Sequence, residues 1–376
     1  MKMLWKQQKK VLARHMGNAL ADISKAGVAV WLDDLSRERL QSGSLKKLIE
    51  SDYVVGVTTN PSIFASAIGK SDLYQADIVK NALISTEEII TQLTTDDVRD
   101  ACDLFAGVYE STKHQDGRVS IEVDPRFARD TNATIEQGLY LWKIIDRPNL
   151  LIKVPATIEG LPAITELIAR GVSVNVTLIF SVARYKQVLQ AYTDGLKIRV
   201  DKQQEIGHIF SVASFFISRI DSAVDALLPT DSSMRGQTAI ANAVMAYQSF
   251  LDFLNTPSWK ELVNKGANVQ RPLWASTGVK DPSFDPNLYV LGLVAANTVN
   301  TMPESTLNSV RNSGVFNQDL IPSKLASSKS ILAKIALAGI DLGKITDHLE
   351  VDGVSKFESA WLELMKTVNA IVGGSK

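Results

Sequence analysis

The sequence contains one cysteine, Cys102, in 376 residues. A lone thiol forms no internal disulfide and supplies no CxxC redox or metal pair, so a disulfide-stapled fold is excluded and a reducing, cytoplasmic setting is expected. Histidine is scarce as well: His15, His114, His208 and His348 are scattered, and none falls in HExxH or similar metal spacing, which leaves them as structural or surface groups. No GxGxxG or GxxxxGKS loop is present to cradle a dinucleotide or a nucleotide phosphate. Neither sign of charge is in excess, with 40 Lys and Arg against 41 Asp and Glu. No global field therefore draws the chain to nucleic acid or an anionic membrane, and any anionic ligand must be held by local groups. The basic opening MKMLWKQQKKVLARHM is followed by no apolar run long enough for a signal-peptide core, and a solvated helix is expected there. No segment approaches the roughly eighteen apolar residues of a membrane span. Linkers, repeats and low-complexity tracts are also missing, so residues 1–376 are expected to form a single domain.

What is present is a composition of 45% hydrophobic and 22% charged residues, enough to bury a large core. Short β-branched runs alternate with helical stretches, which points to a parallel sheet. There are eight such runs: 28–32 (VAVWL), 54–58 (VVGVT), 119–123 (VSIEV), 150–154 (LLIKV), 173–178 (SVNVTL), 208–213 (HIFSVA), 273–276 (LWAS) and 297–301 (NTVNT). Eight strands with helices between them predict a (β/α)8 barrel. The segment 161–170 (LPAITELIAR) has helical apolar spacing and stops at Gly171, a C-cap signal. The two long connections, 61–118 and 215–272, read as helical insertions, with a separate lid as the alternative for one of them. Residues 324–374 keep helical periodicity, and this C-terminal extension is expected to pack against the barrel.

Barrel chemistry sits at the C-terminal ends of the strands. Those ends are polar here: Asp33 and Asp34, then Thr58, Thr59 and Asn60, then Glu122 and Asp124, followed by Lys153, by Asn175 and Thr177, by Ser211 and Ser214, and by Ser276. Lys153 is the sharpest signal, because LLIKVPAT sets a lysine inside an apolar strand. Burial disfavours an ammonium, and a lysine that gives up its proton attacks carbonyls. The ordinary alternatives are a lysine snorkelling to the surface or paired with Glu122. Asp33 reads equally well as the N-cap of LSRERL, Asn60 as the turn residue before Pro61, and Glu122 as a salt-bridge partner. Taken together the three converge on one pocket, and two carboxylates with an amine are what imine formation and aldol proton transfer need. Cys102 lies in an amphipathic segment and reads as a small core residue.

The segments WLDDLSRERL, GVTTNPSIF, SIEVDPR, LLIKVPAT, NVTLIFS, VASFFISRID, WASTGVKDP and NTVNTMPE occur in an order that resembles the transaldolases, most closely their longer actinobacterial and cyanobacterial branch. The resemblance implies a (β/α)8 barrel and a ping-pong transfer of dihydroxyacetone between sugar phosphates, with no metal or organic cofactor. It implies that Lys153 forms a Schiff base with the donor ketose and that Asp33 is the acid/base for carbon–carbon cleavage. It further implies that Glu122, through a water held by Thr177, moves protons during imine formation. Asn60 and Asn175 would hold the donor's hydroxyls with Ser214 beside them, and Arg219 and Ser276 would clamp the phosphate. Many family members carry an arginine two residues after that serine, where this chain has Gly278, and Lys280 is the candidate replacement. A related Schiff-base aldolase that releases free dihydroxyacetone is the alternative. Those aldolases tend to have glutamine in place of Glu122 and tyrosine in place of Phe216, so both positions favour transfer. A non-catalytic sugar-phosphate binder would be expected to have lost Lys153, Asp33 or Glu122. A monomer or homodimer is expected, with no nucleic-acid or membrane partner and no room for a fused isomerase domain.

Overall fold

A computed structural model describes residues 18–374, so the expected N-terminal helix and His15 lie outside the described residues. Eight parallel strands close into a barrel in sequence order, the last pairing with the first. They are β1 (Val28–Leu32), β2 (Val54–Val57), β3 (Arg118–Glu122), β4 (Leu150–Pro155), β5 (Val174–Ile179), β6 (Ser211–Phe216), β7 (Gln270–Ala275) and β8 (Thr298–Met302). Seven strands are buried at every position, and only Val55 of β2 is partly open. That is the reason they read as continuous apolar runs rather than as alternating ones.

All eight runs correspond to strands; the seventh begins three residues before the expected 273–276, at Gln270, and ends at Ala275, and the sixth is displaced. The expected strand 208–213 starts three residues too early, because in HIFSVASFF apolar residues lie on both sides of Ser211 and no clear period marks the ends. Its limits come from pairing: Ser211 lies opposite Val174 of β5 and Gln270 of β7, and Phe216 lies opposite Ala275. Ser211 therefore opens β6 instead of closing it. Its hydroxyl bonds to the Val174 carbonyl at the far end of the barrel from the chemistry. Phe216 is the last residue of the strand and not part of the segment leaving it.

The long connections are helical. The first includes α1 (Pro61–Lys70) and α2 (Thr86–Leu104). The segment ending at Gly171 forms α3 (Gly160–Ala169), and Gly171 takes the left-handed φ of 89° that stops it. The second long connection carries α4 (Ser218–Asp225) and α5 (Thr238–Leu254). The C-terminal extension forms α6 (Leu325–Leu337), which packs on α5, and α7 (Leu342–Gly374). At 33 residues, α7 is roughly 50 Å long, enough to run along α1 and also reach α2, α4 and β5. Its buried positions include Leu349, Gly353, Phe357, Trp361, Leu364 and Val368, a single stripe at helical spacing. Among the described residues, no helix is long and apolar enough to cross a membrane.

The far end of the barrel is closed by two buried arginines. Arg118 lies between the rings of Tyr109 and Phe210 and donates to the carbonyls of His114 and Pro148, while Arg271 pairs with Asp116 at 2.7 Å. These guanidinium groups are consumed by structure.

The seam between β1 and β2 is tight. A Cβ built on Gly56 would lie 2.5 Å from Cε2 of Trp31, a fully buried ring. Gly56→Ala should therefore lower stability by roughly 2 kcal/mol through overpacking. Urea unfolding of the two proteins measures this, and an unchanged midpoint would mean that Trp31 can retreat freely.

Candidate active site

The parallel register places Glu122 of β3 opposite Lys153 of β4, and Lys153 opposite Asn175 of β5. Three polar side chains thus share one layer just below the C-terminal rim. The Lys153 amine donates to Glu122 Oε2 at 3.0 Å and to the Thr59 carbonyl at 2.9 Å. Lys153 is 4% exposed and Glu122 8%, so the snorkelling alternative is ruled out. Pairing with Glu122 is realised inside the candidate site, and the structural and chemical readings of that lysine coincide. The ring of Phe357, reaching down from α7, has its centroid 5.4 Å from the Lys153 nitrogen.

Burial dominates the electrostatics. It pushes the Glu122 carboxyl up to about 7, against the opposing attraction of Lys153. Burial likewise raises Asp33, although Lys153 and a hydrogen bond from Thr58 pull it back. A carboxyl near 7 exchanges its proton readily at neutral pH, which suits a general acid that must also act as base. Asp33 does not cap the helix that follows it. Ser36 takes that role by accepting from the Arg39 amide, and this frees Asp33 Oδ1 to accept from Thr58 Oγ1 at 2.7 Å. Thr58 is tied in turn to Thr301 at 2.6 Å. Glu122 Oε1 and Thr177 Oγ1 are among the buried polar atoms that find no protein partner. Such orphans are costly, and they leave an acceptor and a hydroxyl available to a reacting group.

Asp33, Asn60, Lys153, Thr177, Ser214, Phe216, Arg219, Ser276 and Lys280 line one cleft with about 210 Å³ of free space. Asn60 serves twice, since its side chain also caps α1 by accepting from the Ile63 amide at 3.1 Å, with Pro61 at the first helical position. Glu122 sits behind Lys153. Asn175 is fully buried, donating to Ser120 at 3.0 Å and accepting from Ser214 at 2.7 Å. Its carbonyl oxygen is thereby committed to Ser214, which is the member of that pair on the cleft wall. Asp124 bonds Arg126 and takes no part.

On the opposite rim, Arg219 opens α4 with one buried guanidinium nitrogen that has no protein partner. Burial lowers its pKa from the usual value while Asp352 pulls it up. Ser276 follows β7 in a left-handed conformation, φ 56°, and its hydroxyl lies 2.9 Å from that of Ser218. Lys280 is exposed at the mouth. These three groups supply two cationic side chains and a hydroxyl for an anion.

Ser62, Thr301 and Phe357 also line the cleft, and sequence reasoning missed them. Thr301 ends the run NTVNT and was accessible to the same strand-end rule. Phe357 carried no signal, because it is an ordinary apolar position of an amphipathic helix.

A family model described as transaldolase/fructose-6-phosphate aldolase matches residues 30–368. The transaldolase of Mycolicibacterium smegmatis is 50% identical over 364 residues, covering 95% of this chain and 98% of the relative. That of Acidothermus cellulolyticus is 49% identical, covering 94% and 96%, and that of Frankia alni 46% identical, covering 96% and 99%.

The upward shift of Glu122 has a measurable sign. A folded carboxyl near 7 holds its proton more tightly than an unfolded glutamate, so its contribution to stability is greatest below the unfolded value and declines as pH rises toward 7. The stability of the native protein relative to Glu122→Gln should therefore fall from pH 5 to about pH 7 and level off above, by at most roughly 1.4 kcal/mol per pH unit for one proton. Urea midpoints at intervals across that range provide the measurement. A gap that widens with pH would mean that the Lys153 ion pair outweighs desolvation.

Proposed function

The chain belongs to the transaldolase/fructose-6-phosphate aldolase family, and on that premise we propose that it is a transaldolase working through a Schiff base on Lys153. The observation that carries this reading is the buried Lys153 amine 3.0 Å from Glu122, with Asp33 on the wall of the same cleft. The amine attacks the C2 carbonyl of fructose 6-phosphate or sedoheptulose 7-phosphate, and the carbinolamine loses water to give a protonated imine. Glu122 supplies and recovers the protons of these steps, and the Thr177 hydroxyl orients the water that carries them. Asp33 takes the proton of the C4 hydroxyl, the C3–C4 bond breaks, and its electron pair passes into the imine to form an enamine. The aldose phosphate leaves. An acceptor, glyceraldehyde 3-phosphate or erythrose 4-phosphate, then reverses the sequence.

Asn60, Ser214 and, through its free N–H, Asn175 hold the hydroxyls of the dihydroxyacetone unit. Arg219, Ser276 and Lys280 bind the phosphate at the rim. The aldolase alternative is disfavoured by Glu122 and Phe216, both retained in the form expected for transfer. This activity places the protein among the cytoplasmic enzymes of the pentose phosphate pathway.

Borohydride reduction in the presence of fructose 6-phosphate, followed by peptide mass mapping, should find the adduct on Lys153. Lys153→Arg should form no adduct and lose turnover while its circular dichroism is unchanged, since a guanidinium keeps its proton and cannot attack a carbonyl. Substantial residual turnover would remove Lys153 from the mechanism.

The phosphate assignment has its own test. Arg219→Ala should raise KM for phosphorylated donors by about tenfold or more while free dihydroxyacetone as donor is little affected, because a guanidinium clamp acts far from the bond that breaks. Equal loss with both donors would make Arg219 structural. An unchanged KM in Lys280→Ala would exclude Lys280 from the phosphate site.

A further inference from the structure

We infer that Phe357 is a positioning residue that decides whether the dihydroxyacetone held on Lys153 is passed to an acceptor or lost to water. This rests on the Schiff-base reading above and deepens it. The hydrogen-bond partners of the Lys153 nitrogen come from β3 and from the end of β2. The apolar face beside it comes from another element: Phe357 on α7, 5.4 Å from nitrogen to ring centroid, 4% exposed, and lining the same cleft as Asp33, Ser214 and Phe216.

The helix is fitted to bring that ring down. Gly353 lies one turn before Phe357 on the buried stripe, and a Cβ there would stand 3.0 Å from Leu178 Cδ2 and 3.6 Å from Arg219 Nη1. The absence of a side chain at 353 lets α7 close against β5 and the phosphate-side rim. Three residues before Gly353, beside the stripe, Glu350 pairs with Arg184 at 3.2 Å, both side chains 13% exposed. The ring is thus held by a helix docked on the mouth, not by the barrel.

Once the first aldose has left, the enamine has two fates. In transfer, its C3 electron pair forms the new bond to the acceptor's aldehyde carbon, and the aldehyde oxygen takes a proton from Asp33. In loss, C3 takes a proton instead and water adds across the resulting C=N bond. The C–N bond then breaks, freeing dihydroxyacetone and the Lys153 amine. Transfer also ends with water adding to an imine, so the two fates part earlier, at C3: loss begins when water brings a proton to that enamine carbon. An aromatic ring packed against the nitrogen crowds water from the space beside the enamine and offers it no hydrogen bond, while its face tolerates the positive imine of the other steps.

The test is a series at one position, Phe357→Leu, Phe357→Val and Phe357→Ala. Each variant is assayed with fructose 6-phosphate, with and without erythrose 4-phosphate, for free dihydroxyacetone and for transferred product. The ratio of released to transferred product should stay close to wild type in Leu, which keeps the apolar bulk, and climb through Val to on the order of tenfold in Ala. Melting temperature identifies any variant that does not fold, and the Leu-to-Val step alone then reads the same trend. A ratio that stays flat across the folded variants overturns the proposal, as does a parallel fall in both products, the mark of a purely structural side chain. If the wild type itself gives no borohydride adduct on Lys153, the Schiff-base reading has failed, and that result is distinct from a flat ratio on a working enzyme.

Discussion

The contact between Lys153 and Glu122 constrains everything around it. An ammonium or a carboxylate taken alone into the mouth of a barrel would lose hydration worth several kcal/mol, and mutual attraction repays this only with good geometry and further hydrogen bonds. The parallel register supplies the geometry by setting the two residues opposite each other on neighbouring strands. The Thr59 carbonyl supplies the further bond. Compensation remains incomplete, since burial still raises Glu122 to about 7. That incompleteness is the useful property. A fully satisfied ion pair would hold its proton in one place, whereas this one leaves Glu122 Oε1 and the Thr177 hydroxyl without protein partners and able to serve a proton in transit.

The barrel was legible in the sequence because its strands are buried on both faces, and eight apolar runs stood out against the helices between them. The same property blurred the sixth strand. In HIFSVASFF apolar residues lie on both sides of Ser211, where the strand begins, and pairing with β5 and β7 sets the limits. The strand-end rule found Asp33, Asn60, Glu122 and Lys153 because strand and rim are local properties of the chain. It erred at Ser211 once the strand limits moved. It offered a capping role for Asp33 that Ser36 in fact performs, since a polar residue shortly before a helix looks the same whether it caps or faces a cleft. The roles of Arg219, Ser276 and Lys280 came from family resemblance, and the structure brings all three to one rim.

Phe357 marks where such reading ends. Its helical spacing announces a buried face, yet periodicity does not say which surface covers that face. Long-range packing decides it, 204 residues along the chain from Lys153 as the difference 357 − 153 shows. One local feature hints at close approach: a glycine inside a long amphipathic helix, where alanine would favour the helix by about 1 kcal/mol. Gly353 accepts that penalty, and with it α7 reaches Leu178 and Arg219. A mid-helix glycine on the buried stripe is thus a signal for where a helix is pressed against its support, though not for what the support is.

The charge balance of the mouth explains why two raised carboxyls accompany one lysine. If Asp33 and Glu122 were both ionised, one ammonium would leave the interior with a net charge of −1, and a phosphorylated sugar would approach a site repelling it. Burial raises both carboxyls, Asp33 raises Glu122 further, and Lys153 pulls both back. Glu122, raised to about 7, can therefore hold or release its proton near neutral pH. On the proposed mechanism the ligand's phosphate is met elsewhere, at the rim, where an Arg219 guanidinium nitrogen without a protein partner and the exposed Lys280 ammonium face the cleft. On that proposal the fold separates the groups that hold the phosphate, on loops and helix starts at the mouth, from the groups that move protons, Glu122 on β3 and Asp33 just past the end of β1.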